Sequence, residues 1–448
     1  MITIEKSLKN DSKTLFITLT DQEDWGLSKR KNKLGLNCGS DIDDQWRLCF
    51  SRYFKDLICY DIYKRANSEG IIAANQELIA FAKAYKPEYI IHPSVLSGLV
   101  TLETSLELKQ LGCKVIGYFC DDDIYYDSSS KYMIPYVDYC VTVTSPDFVE
   151  KYTADGGKAF FSVPIPMPSD IFCRLENGSK LYDVSFVGNQ HVADRQLWVE
   201  SLIKAGVDLN LLGGTIPNEK VHCSKFVEII NQSKINLHFS KHVINGELVD
   251  QLKGRVFEVT LCGGFLLCEY APIIEKFFEI DKEIVCFKTV EEAVEKINYY
   301  LKHDAEREKI AQAGYIRANR DYEGSKVIEK LFAEIENCDK NNNVSSISGT
   351  VTPLHTEFSN VYTLWTKALL RSSYPLRAQW KECAELALRT DQENKQIKRL
   401  LLVSKLLGDP QPVRGLCKRI FWHLGTWINK KYILMRKKLR FIKKIMKK

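Results

Sequence analysis

Apolar residues along this chain gather in short strand-like runs separated by stretches of helical period. TLFITLT (14–20), DLICYDIY, EYIIH, KVIGYFC, YCVTV and AFFSV read as strands, with IIAANQELIAFAKAY and LVTLETSLELKQLG as helices between them. This βαβα rhythm predicts a mostly parallel sheet covered on both faces. VPIPMPSDIF (163–172) then places three prolines within five residues, which neither a helix nor a central strand accepts. It reads as a linker. The rhythm restarts with DVSFVGN, a helix through RQLWVESLIKAG, DLNLLGG, a helix through KFVEIINQS, KINLHFS, GFLLCE and IVCFK. Two long helices follow, EEAVEKINYYLK and AEREKIAQAGYIRANRDY.

The expected fold class is therefore α/β: two Rossmann-like domains facing a cleft, plus a C-terminal helical extension. The expected boundaries are 1–163 for the first domain, 164–182 for the linker and 183–337 for the second domain. The polar run at 338–358 is a flexible connector, 359–413 a small helical region, and 414–448 a basic amphipathic tail. A chain of 448 residues exceeds what one hydrophobic core usually serves, which agrees with two domains.

Composition adds three constraints. The apolar fraction of 45% and charged fraction of 27% are those of an ordinary globular protein, with no apolar run of transmembrane length and no signal-peptide pattern at the start. The 14 cysteines form no CxxC pair, and no Cys/His group has zinc spacing, so a reduced, cytoplasmic setting is expected. The net charge of +6 is uneven. Thirteen Lys/Arg and no Asp/Glu lie in 414–448, which leaves 50 basic against 57 acidic groups in the first 413 residues, a net of −7. An acidic body argues against nucleic acid as a partner and gives the tail a separate role. In that tail Ile428, Tyr432, Met435, Leu439, Ile442 and Met446 recur at helical spacing among lysines and arginines, behind Trp422 and Trp427. Such a helix is suited to an anionic membrane surface, which predicts a protein peripheral on the inner face of the membrane. A disordered basic end or a helix on an acidic partner is the alternative.

The segment KGRVFEVTLCGGFLLCE (253–269) carries the clearest chemistry. A helix starting near Leu252 would aim free N–H groups at the cleft, a setting for phosphate. Arg255 offers a rigid donor fork for a diphosphate, with Lys253 or Arg195 assisting as charges. Glu258, one turn on, is suited to accept two ribose hydroxyls. Gly263 and Gly264 admit close backbone approach. Each also has a plain structural reading, as a helix-surface ion pair or a tight helix-to-strand turn.

Those residues, with FFEIDKEIVCFKTVEEAVEKINYYLKHDAEREKIAQAGYIRANRDY after them, resemble the C-terminal domain of GT-B glycosyltransferases, closest to the CgeB-like, spore-maturation group. YDVSFVGN, LNLLGG and INQSKINLHFS come in the order that family shows, and KVIGYFCDDD resembles its N-terminal domain. The resemblance spans roughly 85–335. It implies a nucleotide-sugar domain at 183–337 and an acceptor domain at 1–163, and it places Gly188 and Asn189 on the donor cleft, with Arg255 and Lys253 on the nucleotide phosphates. Glu258 falls at the second position of the Glu-x7-Glu pattern of retaining members. Asp250 stands at the first, where the family has Glu.

The resemblance implies a hexosyltransferase-like enzyme of polysaccharide biosynthesis. It would move a sugar from a UDP- or GDP-linked donor to an acceptor hydroxyl, with no cofactor and no metal. The membrane-docking pattern of 414–448 points to a cell-envelope glycan or lipid-linked acceptor, with a protein acceptor as the alternative. Asp121, Asp122 and Asp123 admit a second reading as a metal-binding DxD site, though a second α/β domain after them favours the metal-free class. If the reaction inverts configuration, Asp122 or His92 is the candidate base. A nucleotide-sugar epimerase and a non-catalytic membrane-associated scaffold remain the rival functions.

Overall fold

A computed structural model of the chain describes residues 10–18, 41–93, 98–127, 129–163, 166–176, 179–188, 194–212, 223–244, 247–341, 362–363, 366 and 380–407. Asn189 and the whole of 414–448 lie outside the described residues, and so does most of 338–358.

The first sheet holds six parallel strands in the order β2-β1-β3-β4-β5-β6. They are β1 (Thr14–Thr18), β2 (Leu57–Asp61), β3 (Tyr89–His92), β4 (Lys114–Phe119), β5 (Tyr139–Thr142) and β6 (Ala159–Phe161). Helices α1 (Asp41–Tyr53), α2 (Ile62–Glu69), α3 (Ile71–Tyr85), α4 (Leu102–Gln110), α5 (Asp122–Tyr125) and α6 (Asp147–Ala154) connect them. Short polar side chains start several of these helices. Asp61 accepts the N–H of Lys64 at 2.9 Å to cap α2, and Thr101 accepts that of Thr104 at 3.2 Å to cap α4. Alternation along β1 sends Leu15 and Ile17 into one core and Phe16 into the other, as a sheet buried on both faces requires.

The second sheet holds five parallel strands in the order β13-β12-β9-β7-β8. They are β7 (Tyr182–Val187), β8 (Leu209–Leu212), β9 (Ser233–His238), β12 (Leu266–Glu269) and β13 (Val285–Phe287), flanked by α7 (Arg195–Lys204), α8 (Cys223–Gln232), α9 (Gly254–Leu261), α10 (Val290–Lys302) and α11 (Asp304–Asp321). Both sheets thus have the doubly wound, Rossmann-like order, and the α/β architecture expected from the sequence is the one observed. In the second sheet the winding reverses between β7 and β9, and the crevice at their carboxyl ends is where such sheets bind ligands. A hairpin of β10 (Lys241–Ile244) and β11 (Glu247–Asp250) stands where the sequence reads as a plain loop.

Two long-range returns were not legible in the sequence. Helix α12 (Gly324–Asn341) follows the second sheet, yet its Ile328, Leu331, Phe332 and Ile335 pack with Phe16, Trp46, Phe50 and Tyr118 of the first. Helices Trp380–Thr390 and Lys395–Leu407 also bury Trp380, Cys383, Ala384, Leu386, Ala387 and Ile397 in the first domain's other core. Among the described residues all cysteines are free, and no helix is long and apolar enough to cross a membrane.

Candidate functional site

Three cations gather at the switch point of the second sheet. Arg195 opens α7, and Lys253 and Arg255 stand at the start of α9. All three lie close enough to His238, the last residue of β9, to join burial in holding its imidazole well below the usual range. His238 is 5% exposed, and its Nε2 has no hydrogen-bond partner. Burial also lowers the basicity of Arg195, and Arg255 lowers it further while Glu269 opposes. Lys253 is pulled down to about 8, by burial first and then by Arg195, against Asp121 and Asp123. Among the described residues Lys253 has no carboxylate within ion-pair distance. Like charges half-withdrawn from water in this way form a receptor for an anion.

Local packing fixes the Arg255 fork. Its guanidinium lies 3.8 Å from the ring centroid of Phe226 on α8, and Nη1 sits 3.3 Å from the carboxylate of Glu258 one turn along. Glu258 is therefore within reach of whatever Arg255 holds. Gly254 lets the linker approach the helix start, since a Cβ there would meet Met167 Cε at 3.3 Å. Gly188 follows β7 at the same carboxyl edge. Glu269, 1% exposed at the end of β12, accepts the N–H groups of Ser240 at 3.1 Å and Lys241 at 3.3 Å and pairs with Lys241 Nζ at 2.8 Å. The sequence reading passed over His238 and Glu269, although a charged residue closing the apolar run GFLLC was visible there.

Across the cleft stands the carboxyl end of β4. Gln251, 5% exposed, donates from Nε2 to Asp121 Oδ1 at 2.9 Å and to Asp123 Oδ1 at 3.2 Å. Two acceptors are left over, because Gln251 Oε1 and Asp123 Oδ2 are buried without a partner. Burial, and then Asp121, raises the Asp123 carboxyl above its ordinary range. Asp121 adopts a left-handed conformation, φ 55°, which turns the chain so that its neighbours face opposite ways.

Several expectations need correction. Asp122 does not face the cleft. It is 1% exposed and accepts hydrogen bonds from Thr142 Oγ1 at 2.7 Å and Tyr152 OH at 2.9 Å, so it is committed to the first domain's interior. His92 is 2% exposed at the end of β3, and burial pushes it down to about 3, too weakly basic to take a proton near neutrality. Asp250 lies exposed on the rim hairpin, opposite Lys241. Gly263 and Gly264 sit at the far end of α9, about 12 Å of helix from Lys253. Gly263, φ 69°, closes the helix, and a Cβ on Gly264 would meet Ile230 Cγ2 at 2.7 Å and Asn236 Nδ2 at 2.8 Å. Both serve helix-to-strand packing.

Residues 195–333 match a family model described as glycosyl transferase-like, a span that begins at Arg195 and includes Lys253, Arg255 and Glu258. No curated protein is detectably similar in sequence. Among solved structures, a sucrose-phosphate synthase from Thermosynechococcus elongatus covers 74% of this chain and all of its own (100%) at 9% identity and a TM-score of 0.47. Anabaena HepE in complex with UDP and glucose covers 72% and 99% at 10% identity and the same score of 0.47. A UDP-N-acetylglucosamine 2-epimerase-like protein from Listeria monocytogenes covers 74% and 98% at 10% identity and 0.44. The strand order, not these likenesses, defines the architecture.

Proposed function

We propose that this protein is a glycosyltransferase that takes a sugar from a nucleotide-linked donor held on the second domain. One observation carries the reading: Arg195, Lys253 and Arg255 converge on the β7/β9 crevice, within the span that matches the glycosyl transferase-like family. The donor's diphosphate would accept from the Arg255 fork and from Lys253 and Arg195, and the ribose hydroxyls would donate to Glu258. As the bond from the sugar to the diphosphate breaks, negative charge grows on the leaving oxygen. Three fixed cations in a part-buried site stabilise that charge, so the reaction is expected to proceed without a metal. Asp121 and Asp123, bridged to this domain by Gln251, would receive the acceptor. Asp123 takes the role proposed for Asp122 and would accept the proton of the attacking hydroxyl on Oδ2, an unpartnered oxygen closed to solvent here that a shift of Gln251 would have to uncover. Domain closure over the site keeps water from replacing the acceptor.

The acceptor we favour is a hydroxyl of a cell-envelope glycan or lipid-linked sugar, which rests on the basic amphipathic pattern of 414–448 and a docking role for it on the inner membrane face. The epimerase alternative would leave that tail without a task. Calorimetric titration of UDP, GDP, ADP and CMP into the wild type, Arg255→Ala and Glu258→Ala tests the donor site. One nucleotide binding the wild type and at least tenfold more weakly to both variants supports it. Absence of binding by all four makes the scaffold reading the better one.

A further inference from the structure

The wall of the donor crevice also holds a buried ion pair, Glu269 with Lys241. Glu269 closes β12, one residue beyond Cys268, which pairs in register with His238 at the end of β9. Its buried carboxylate therefore stands beside the switch point. Oε2 accepts the N–H groups of Ser240 and Lys241, and the Ser240 hydroxyl donates to the Glu269 carbonyl at 2.7 Å. The Ser240 carbonyl in turn accepts the Gln251 N–H at 3.2 Å. One side chain thus fixes the turn into the rim hairpin and, through Ser240, the chain that leads to α9.

Those contacts ask only for an acceptor, and a neutral glutamine amide would supply one. A buried carboxylate costs desolvation that a neutral acceptor does not, so the turn alone does not account for the charge. The charge acts on two cations. Lys241 Nζ reaches Glu269 Oε1 at 2.8 Å, and this contact, against burial, holds the ammonium above its ordinary range. Asp194, the residue before Arg195, is among the carboxylates that act on Lys241, which places this lysine at the same wall as the donor-site cations. Glu269 also opposes the burial that lowers the basicity of Arg195. From the burial of Glu269, its bonds to the turn and its ion pair at the crevice wall, we propose that Glu269 is a positioning residue that keeps Lys241 from acting as a fourth phosphate-binding cation. It thereby sets how firmly the site holds a diphosphate. The proposal rests on the donor reading of the crevice. With Lys241 paired, Arg195, Lys253 and Arg255 stabilise the departing diphosphate, and the product leaves more readily than it would from four cations.

The pair is balanced, so each single substitution shifts the local charge by one unit, in opposite directions. Full-length wild type, Glu269→Gln, Lys241→Ala, the double variant and Arg255→Ala are titrated with inorganic pyrophosphate and with UDP at low and high salt. Thermal unfolding is run on each. Glu269→Gln is expected to bind pyrophosphate about threefold or more tighter than wild type, and Lys241→Ala about threefold or more weaker. The double variant should return to within about twofold of wild type, UDP should follow the same order, and the differences should shrink in high salt. A purely structural Glu269 has no means of tightening the site. Equal or weaker binding by folded Glu269→Gln therefore overturns the inference. An unchanged affinity in Lys241→Ala overturns it as well, which keeps the test decisive if the glutamine variant does not fold. Pyrophosphate binding that Arg255→Ala weakens, without the opposed shifts at Glu269 and Lys241, refutes this inference and leaves the donor reading standing. No binding of pyrophosphate or UDP to the wild type overturns both.

Discussion

Gln251 and Asp123 come from different domains, 128 positions apart, and meet through a hydrogen bond of 3.2 Å that leaves one oxygen of each buried and unmatched. That pair joins the first domain to the second. Burial raises the Asp123 carboxyl, and the Gln251 bond lowers it.

If Asp123 accepts the acceptor's proton, it acts only when ionised. Gln251→Leu removes the bond that favours ionisation, so the acidic limb of the kcat profile should move to higher pH while donor KM changes little. Asp123→Asn should cut transfer by roughly 10²-fold or more and leave nucleotide affinity intact. Unchanged pH profiles in both variants would assign the pair to domain docking alone.

Arg255 holds its place by stacking on Phe226 and pairing with Glu258. Arg255→Lys keeps the charge but loses the planar fork, so it should fail to restore nucleotide affinity lost in Arg255→Ala. Glu258→Ala should weaken a nucleoside diphosphate about tenfold and pyrophosphate less, because both meet the Arg255 fork that Glu258 helps hold but only the former brings a ribose. Titration of both ligands into the three variants separates these roles.

The Lys253 pKa near 8 gives a signed pH dependence. An anion binds the protonated lysine, and its own charge restores the proton once bound. Nucleotide affinity should therefore be steady below pH 7.5 and fall as pH rises through 8, by up to about tenfold per unit. Lys253→Arg should flatten that decline, since a guanidinium stays charged. Calorimetry from pH 6.5 to 9.5 in buffers of different ionisation enthalpy would show proton uptake on the basic side.

Gly264→Ala should destabilise the protein by about 1–3 kcal/mol, because the added methyl has no room between Ile230 and Asn236. Nucleotide affinity of the folded fraction should stay at the wild-type value. A lost affinity with unchanged Tm would return Gly264 to the donor site.

The helix at Trp380–Thr390 gives the first domain a cap as well as core. Glu382 Oε2 accepts the Ile71 N–H at 2.6 Å, supplying the start of α3, whose own N-cap position is Gly70 without a side chain. Glu382→Ala should cost about 0.5–2 kcal/mol in chemical denaturation, on the scale of a lost helix cap.

The sequence by itself determined what depends on near neighbours. Strand runs such as EYIIH and KVIGYFC, the amphipathic helices between them, and the basic start of α9 are written in spacings of two to four residues, and those spacings specify local conformation wherever the chain goes. Arg255 and Glu258 could be paired in advance because one helical turn separates them. The tertiary structure decided what depends on distant partners. Nothing local tells Asp122 from Asp121 and Asp123. The left-handed turn at Asp121, and the hydroxyls of Thr142 and Tyr152 waiting inside, send one carboxylate inward and leave its neighbours for Gln251. The return of α12 to the first sheet follows the same rule. Its apolar stripe shows that a face must be buried, but the free energy of burial is non-directional, and only the assembled cores decide which sheet receives it.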